Sequence, residues 1–224
     1  ASFRKPMADT KRHFEKTLTP LLRLKNIENL RDGIFTPLER EEKTIQYKTP
    51  FFLLEKLGEK IEADLPRLQN QYRGTLIPPK VLNETQQVEG LAEKLFVHTS
   101  ASLSRFAVFD TTKGTIVIDA NVRISAFSLI QGPAYIGKDS QLDRCNFSNS
   151  ICGENCRLGG EIADSIIGNF SNKHHEGFLG HSLVGDWVNL GALTTTSDLK
   201  NNYGEVRLHF GSEAFNTGTI KFGS

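Results

Sequence analysis

The stretch SNKHHEGFLG, residues 171 to 180, sets two adjacent histidines, a lysine and a glutamate among small and aliphatic residues. An imidazole titrates near neutral pH. It can take a proton from an attacking amine or hydroxyl, or ligate a metal through a neutral ring nitrogen. His174 and His175 therefore admit three readings: a loop carrying a catalytic base, part of a metal site, or a polar turn. His181, six residues further on, extends the metal reading, because imidazoles gathered at a subunit boundary can hold zinc. No spacing fixes three ligands, however, and no tightly bound metal is expected. Cys152 and Cys156 lack the second pair of ligands of a structural zinc site. With Cys145 they make an odd number of cysteines, which fits reduced thiols packed in a cytoplasmic protein.

The loop needs a frame, and the frame shows in the spacing. Ile118, Ile124, Ile130, Ile136 and Leu142 recur every six residues, and the register resumes at Cys152 and Leu158 and at Val184 and Leu190. Several are followed by a small residue, as in YIGKDS, LVGDWV and NLGALT. A period of six is neither an alternating strand nor a helical face. It predicts a mainly β solenoid of very short strands, in which every sixth side chain points into a narrow interior. Residues 1–95 read differently. PFFLLEKLGEKIEADL places Leu53, Leu54, Leu57, Ile61 and Leu65 on one face of an amphipathic helix that Pro66 is expected to stop or kink. A shorter helix is expected around FTPLEREEKTIQ, and RGTLIPPKVLNETQQVEG reads as a connector. The division is thus a small, partly helical region over 1–95 and a β-helix over 96–224.

Composition narrows the partners. Lys and Arg number 27 against 26 Asp and Glu, so no strongly basic face points to nucleic acid. No apolar run approaches the ~20 residues of a membrane helix, and no signal-peptide pattern opens the chain.

From IGKDSQLDRCNFSNSICGENCRLGG onward the text resembles the hexapeptide-repeat acyltransferases, whose fold is a left-handed parallel β-helix. The run GGEIADSIIGNFSNKHHEGFLGHSLVGDWVNLGALTTTSDLKNNYGEVRL is similar to the acetyltransferase half of one family within them. That family is the bifunctional N-acetylglucosamine-1-phosphate uridyltransferase/glucosamine-1-phosphate acetyltransferases, and the match is nearest to a divergent bacterial branch of sugar-nucleotidyltransferase relatives. The resemblance covers about residue 96 to the end. It implies a homotrimer that transfers an acyl group from acetyl-CoA to a sugar phosphate or nucleotide sugar. His175, in HEGFLG, falls on the family's base, with His174 as its neighbour. Asn189 falls on a sugar-binding asparagine, and Glu161 on an acidic residue beside the base. Phe178 stands where the family commonly has tyrosine, and Ala163 where it has a phosphate-gripping lysine. Lys173, Arg157 or Arg144 would supply that cation instead. Ala192 is placed at the acyl-CoA site, whose further coils are expected to be missing after TGTIKFGS. Upstream, LTPLLRLKNIENLRDGIFTPLERE and TPFFLLEKLGEKIEADL resemble the opening and the closing helix of the family's nucleotidyltransferase domain. No Gly-rich phosphate loop opening a helix lies between them, so nucleotidyl transfer is expected to be lost. The remnant is expected to cap the first coil. A non-catalytic trimeric scaffold, or a sugar-nucleotide-binding protein, is the alternative. The histidine loop is expected to be thrown out from the solenoid.

Overall fold

In the computed structural model, residues 33–36, 39–40, 52–77, 87–210 and 213–223 are described. Residues 87 to 190 form a left-handed parallel β-helix of about six turns. Three inward columns of side chains fill it. On the first face Val88, Phe109, Ile130, Phe147, Ile162 and Leu179 stack in register. On the second face the column is Val97, Ile118, Ile136, Cys152, Ile167 and Val184. On the third it is Leu103, Ile124, Leu142, Leu158 and then Lys173. Most of these side chains are wholly buried, and together they form one continuous core.

The coils shorten along the axis. Ile130 and Phe109 are 21 residues apart, Ile136 and Ile118 are 18, Cys152 and Ile136 are 16, and Ile167 and Cys152 are 15. The inward columns therefore do not lapse after Leu142, although the six-residue spacing does. Phe147, Ile162, Ile167 and Leu179 continue them, with steps of four to six residues at tighter corners. Those corners use residues with positive φ, among them Arg144 (44°), Asn149 (42°), Asp164 (49°) and Gly160 (69°). Asn, Asp and Gly enter this region at least cost, and each lets the chain turn in fewer residues. Buried serines accept N–H groups across coils at the tight corners: Ser150 Oγ from Ser165, Ser165 Oγ from Ser182, and Ser140 Oγ from Cys156.

The N-terminal region contributes a helical turn α1 (Phe52–Glu55) and helix α2 (Leu57–Tyr72). Leu57, Ile61, Leu65 and Leu68 are buried in one cluster with Val117, Tyr135, Ile151 and Ile166, which point outward from the second face. Burying each aliphatic side chain there is worth about 1.5–3 kcal/mol. The helix lies along a side of the prism, because that side is apolar on its outer surface too. The strand Leu76–Ile77 after it pairs antiparallel with Leu95–His98 and so covers the open edge of the first coil there, as expected of a cap. Pro66 does not stop the helix, which continues six residues to Tyr72. Leu65 and Leu68 are buried on either side of it, and their packing offsets a break that costs about 3 kcal/mol. Tyr72 and Tyr135 both donate to the buried Asp119 carboxylate, tying the helix end to the solenoid. Arg40 donates to Asp64 through Nε at 2.6 Å and Nη2 at 2.9 Å, docking the segment 33–40 on α2. Thr36 N donates to Glu39 Oε2 at 2.6 Å and Glu39 N to Thr36 Oγ1 at 3.2 Å, the reciprocal pair of a capping box. The helix expected over FTPLEREEKTIQ otherwise falls outside the described residues.

Beyond the last coil, Arg207–Phe210 and Glu213–Asn216 pair as an antiparallel hairpin. The chain then returns: Phe222 N donates to Asp198 O at 2.8 Å and Gly223 N to His181 O at 3.0 Å.

Candidate functional site

The third and first faces meet at a corner marked by Arg144, Gly160 and Gly177 on successive coils, all with positive φ. The loop His174–Gly177 is the turn of the coil itself, joining strand Asn172–Lys173 to strand Phe178–Gly180. It is not thrown out from the solenoid. Asn189 follows Asn172 in register by 17 residues, only two more than the 15-residue coil before it.

Two glycines let the turn lie this close. A Cβ on Gly159 would stand 2.0 Å from the His174 carbonyl oxygen, and one on Gly177 2.2 Å from the Thr194 carbonyl oxygen. His174, His175 and Glu176 are exposed on the corner. The two imidazoles meet edge to face with centroids 5.2 Å apart, and His174 Nε2 lies 3.9 Å from Asp143 Oδ2 on the coil below. Asp143 was not anticipated; it stands beside the inward Leu142, which is the signal that could have placed it.

The remaining candidates divide. Glu161 is exposed and in register with Phe178, immediately past the corner on the first face. Ala163 follows on the same strand, in register with Gly180. Ala192 is exposed on the next coil at the same corner, where Leu193 N donates to Glu176 O at 2.9 Å. Asn189 is exposed on the third face and accepts from Asn172 Nδ2 at 2.7 Å. Arg157 shares that face, but its guanidinium turns to the opposite edge. It donates to the carbonyls of Asp139 at 3.1 Å and Cys156 at 3.0 Å. Arg144 keeps to the shared corner.

Lys173 corrects the expectation of a substrate-gripping surface cation. It occupies an inward position, the one above Leu158, and is 3% exposed. Its Nζ donates to the carbonyl oxygens of Gly159 at 2.9 Å, His175 at 3.1 Å and Gly177 at 2.7 Å. Desolvation lowers its pKa below the usual lysine range, against opposing pulls from Cys145, Glu176 and Glu161.

His181 stands apart from the pair, on the corner between the first and second faces. Nδ1 lies 2.6 Å from Asp198 Oδ2 and Nε2 lies 3.5 Å from Asp164 Oδ2, so both ring nitrogens face carboxylates. Within one chain His181 is thus not gathered with His174 and His175, and among the described residues no group of three His, Cys, Asp or Glu side chains could hold a metal. The three cysteines are buried, as packed thiols. No described helix is long and apolar enough to cross a membrane. Comparison with protein-family models and with curated proteins returns no match.

Proposed function

We propose that this β-helix is an acyltransferase of the hexapeptide-repeat class, taking an acyl group from acetyl-CoA or another acyl-CoA. The acceptor is an amine or hydroxyl of a sugar phosphate or nucleotide sugar. The observation that carries this reading is an exposed imidazole, His175, on a corner whose backbone is pinned from inside the coil. In the reaction, the acceptor nitrogen or oxygen attacks the thioester carbonyl while His175 takes its proton. The tetrahedral intermediate collapses, the C–S bond breaks, and the CoA thiolate leaves with the proton returned by the imidazolium. Glu161 and Asn189, on the two sides of the corner, fit contacts to sugar hydroxyls, and Ala192 on the next coil is where the acyl-CoA would pass. The proposal includes kinship with the uridyltransferase/acetyltransferase family, a homotrimer whose acyl-CoA cleft lies between subunits, and a reducing cytoplasmic setting, with which the three buried free thiols agree. Nucleotidyl transfer is absent from this proposal.

The test is acetyl-CoA consumption with a panel of amino-sugar phosphates. His175→Ala should slow turnover by about 10²–10⁴-fold; equal rates in the two proteins would remove His175 from the mechanism. A second reading, a non-catalytic trimeric scaffold or sugar-nucleotide-binding protein, is favoured by rings at the corners, of which Phe106, Phe127 and Trp187 are exposed and Phe170 is half-buried. Phe106 and Phe127 stack at 5.7 Å, and Phe170 and Trp187 at 4.6 Å. A trimer that consumes no acetyl-CoA with any acceptor would select it.

A further inference from the structure

We infer that Lys173 is a positioning residue for His175: its buried ammonium seats the loop and thereby sets where the imidazole stands. The inference rests on the reading of His175 as the base. The third-face column below Lys173 is aliphatic throughout (Leu103, Ile124, Leu142, Leu158), so a leucine would fill the same interior position. A charge there is costly to desolvate and persists only where polar groups surround it. Among the described residues no carboxylate pairs with Lys173. Its three partners are backbone carbonyls, two of which, on His175 and Gly177, belong to the loop, while the third, on Gly159, belongs to the coil beneath.

The ammonium therefore ties the loop to the preceding coil at a single point inside the wall. The glycines complete the seat. A Cβ on Gly160 would stand 3.0 Å from Lys173 Nζ and 2.9 Å from the Gly177 carbonyl oxygen, and one on Gly159 would strike the His174 carbonyl. The lowered lysine pKa reports the same desolvation. His175 itself is exposed, and among the described residues the one ring against it is that of His174. The backbone is thus what fixes its place. Displacement of a catalytic group by about 1 Å can cost on the order of 10²-fold in rate.

The experiment measures acyl transfer for wild type, Lys173→Met, His175→Ala and the double variant. Lys173→Met should lower kcat by about 10²-fold while KM for both substrates stays within about threefold. The double variant should be no slower than His175→Ala alone, because Lys173 acts only through that imidazole. Losses that multiply in the double variant would show that Lys173 only supports the fold, and would overturn the inference. A second readout does not depend on turnover: ring resonances of ¹³C-labelled histidine, with His175 assigned by its loss in His175→Ala. In Lys173→Met the His175 resonances should move to those of free imidazole while those of His181 stay. An unmoved His175 signal overturns the inference. The spectral change in a protein without acyl transfer would sustain the seat and reject the acyltransferase reading. Should Lys173→Met fail to fold, Lys173→Gln, whose amide can serve at most two of the three carbonyls, is expected to show the same changes in smaller measure.

Discussion

Asp110 joins two neighbouring coils with one carboxylate. Its Oδ1 accepts from Thr112 N at 2.9 Å and Thr112 Oγ1 at 2.5 Å, and its Oδ2 from Gln131 Nε2 at 3.1 Å. The hydroxyl and amide of Thr112 hold its pKa below the ordinary 3.8. A carboxylate with a depressed folded-state pKa contributes stability that is complete above its unfolded value and is lost as pH falls through the folded one. Asp110→Asn should therefore flatten the acid limb of the stability curve below about pH 4, measured by thermal unfolding across pH. An unchanged acid limb would mean Asp110 carries none of it. The thiols offer another residue-level measurement. Burial pushes Cys145 up to about 12 and Cys152 well above its ordinary value, and Cys156 is wholly buried too, so none of the three should react with a disulfide reagent until the protein unfolds. At this scale the sequence marks His175 by its surroundings but hides Lys173. A lysine reads as a surface charge unless its distance of 15 residues from Leu158 is counted as one coil.

At the scale of elements, α2 and the corners decide most. Ile61 is wholly buried between helix and solenoid. Ile61→Ala should cost about 2–5 kcal/mol, read as a lowered denaturation midpoint. Pro66→Ala, at an exposed position within the helix, should gain stability, by up to about 3 kcal/mol. A loss would show that the proline's geometry is needed for the fit against the second face. The amphipathic pattern over residues 53–65 placed the helix correctly, because one buried stripe forces that period. The stop expected at Pro66 does not occur, because the burial of Leu68 beyond it depends on a partner surface remote in the chain. The six-residue period was likewise legible as far as Leu142. After that, corners built on Asn149, Gly160 and Asp164 take fewer residues, and counting by six misses Phe147, Ile162 and Ile167. A left-handed backbone at a corner leaves only a weak compositional trace in Asn, Asp and Gly.

For the whole molecule, the proposed trimer predicts a mass in solution near three times 25.0 kDa by light scattering. A monomeric mass would count against an acyl-CoA cleft between subunits. The solenoid was legible because the six-residue period runs unbroken from Ile118 to Leu142 and returns at Cys152 and Leu158 and at Val184 and Leu190, whereas the docking of the N-terminal region was not. The apolar residues that receive it, Val117, Tyr135, Ile151 and Ile166, each adjoin an inward residue. They read in the sequence as mere thickening of the core runs.

The helix also makes the prism lopsided. Of its three edges, two border the side that α2 occupies, and the third lies opposite. That third edge is the one formed by Arg144, Gly160 and Gly177, on which His175 stands. On the proposed reading, a neighbouring copy of the chain or the acyl-CoA donor would therefore approach the imidazole without meeting α2. Helix α2 thus stands on the side of the prism opposite the edge that carries His175.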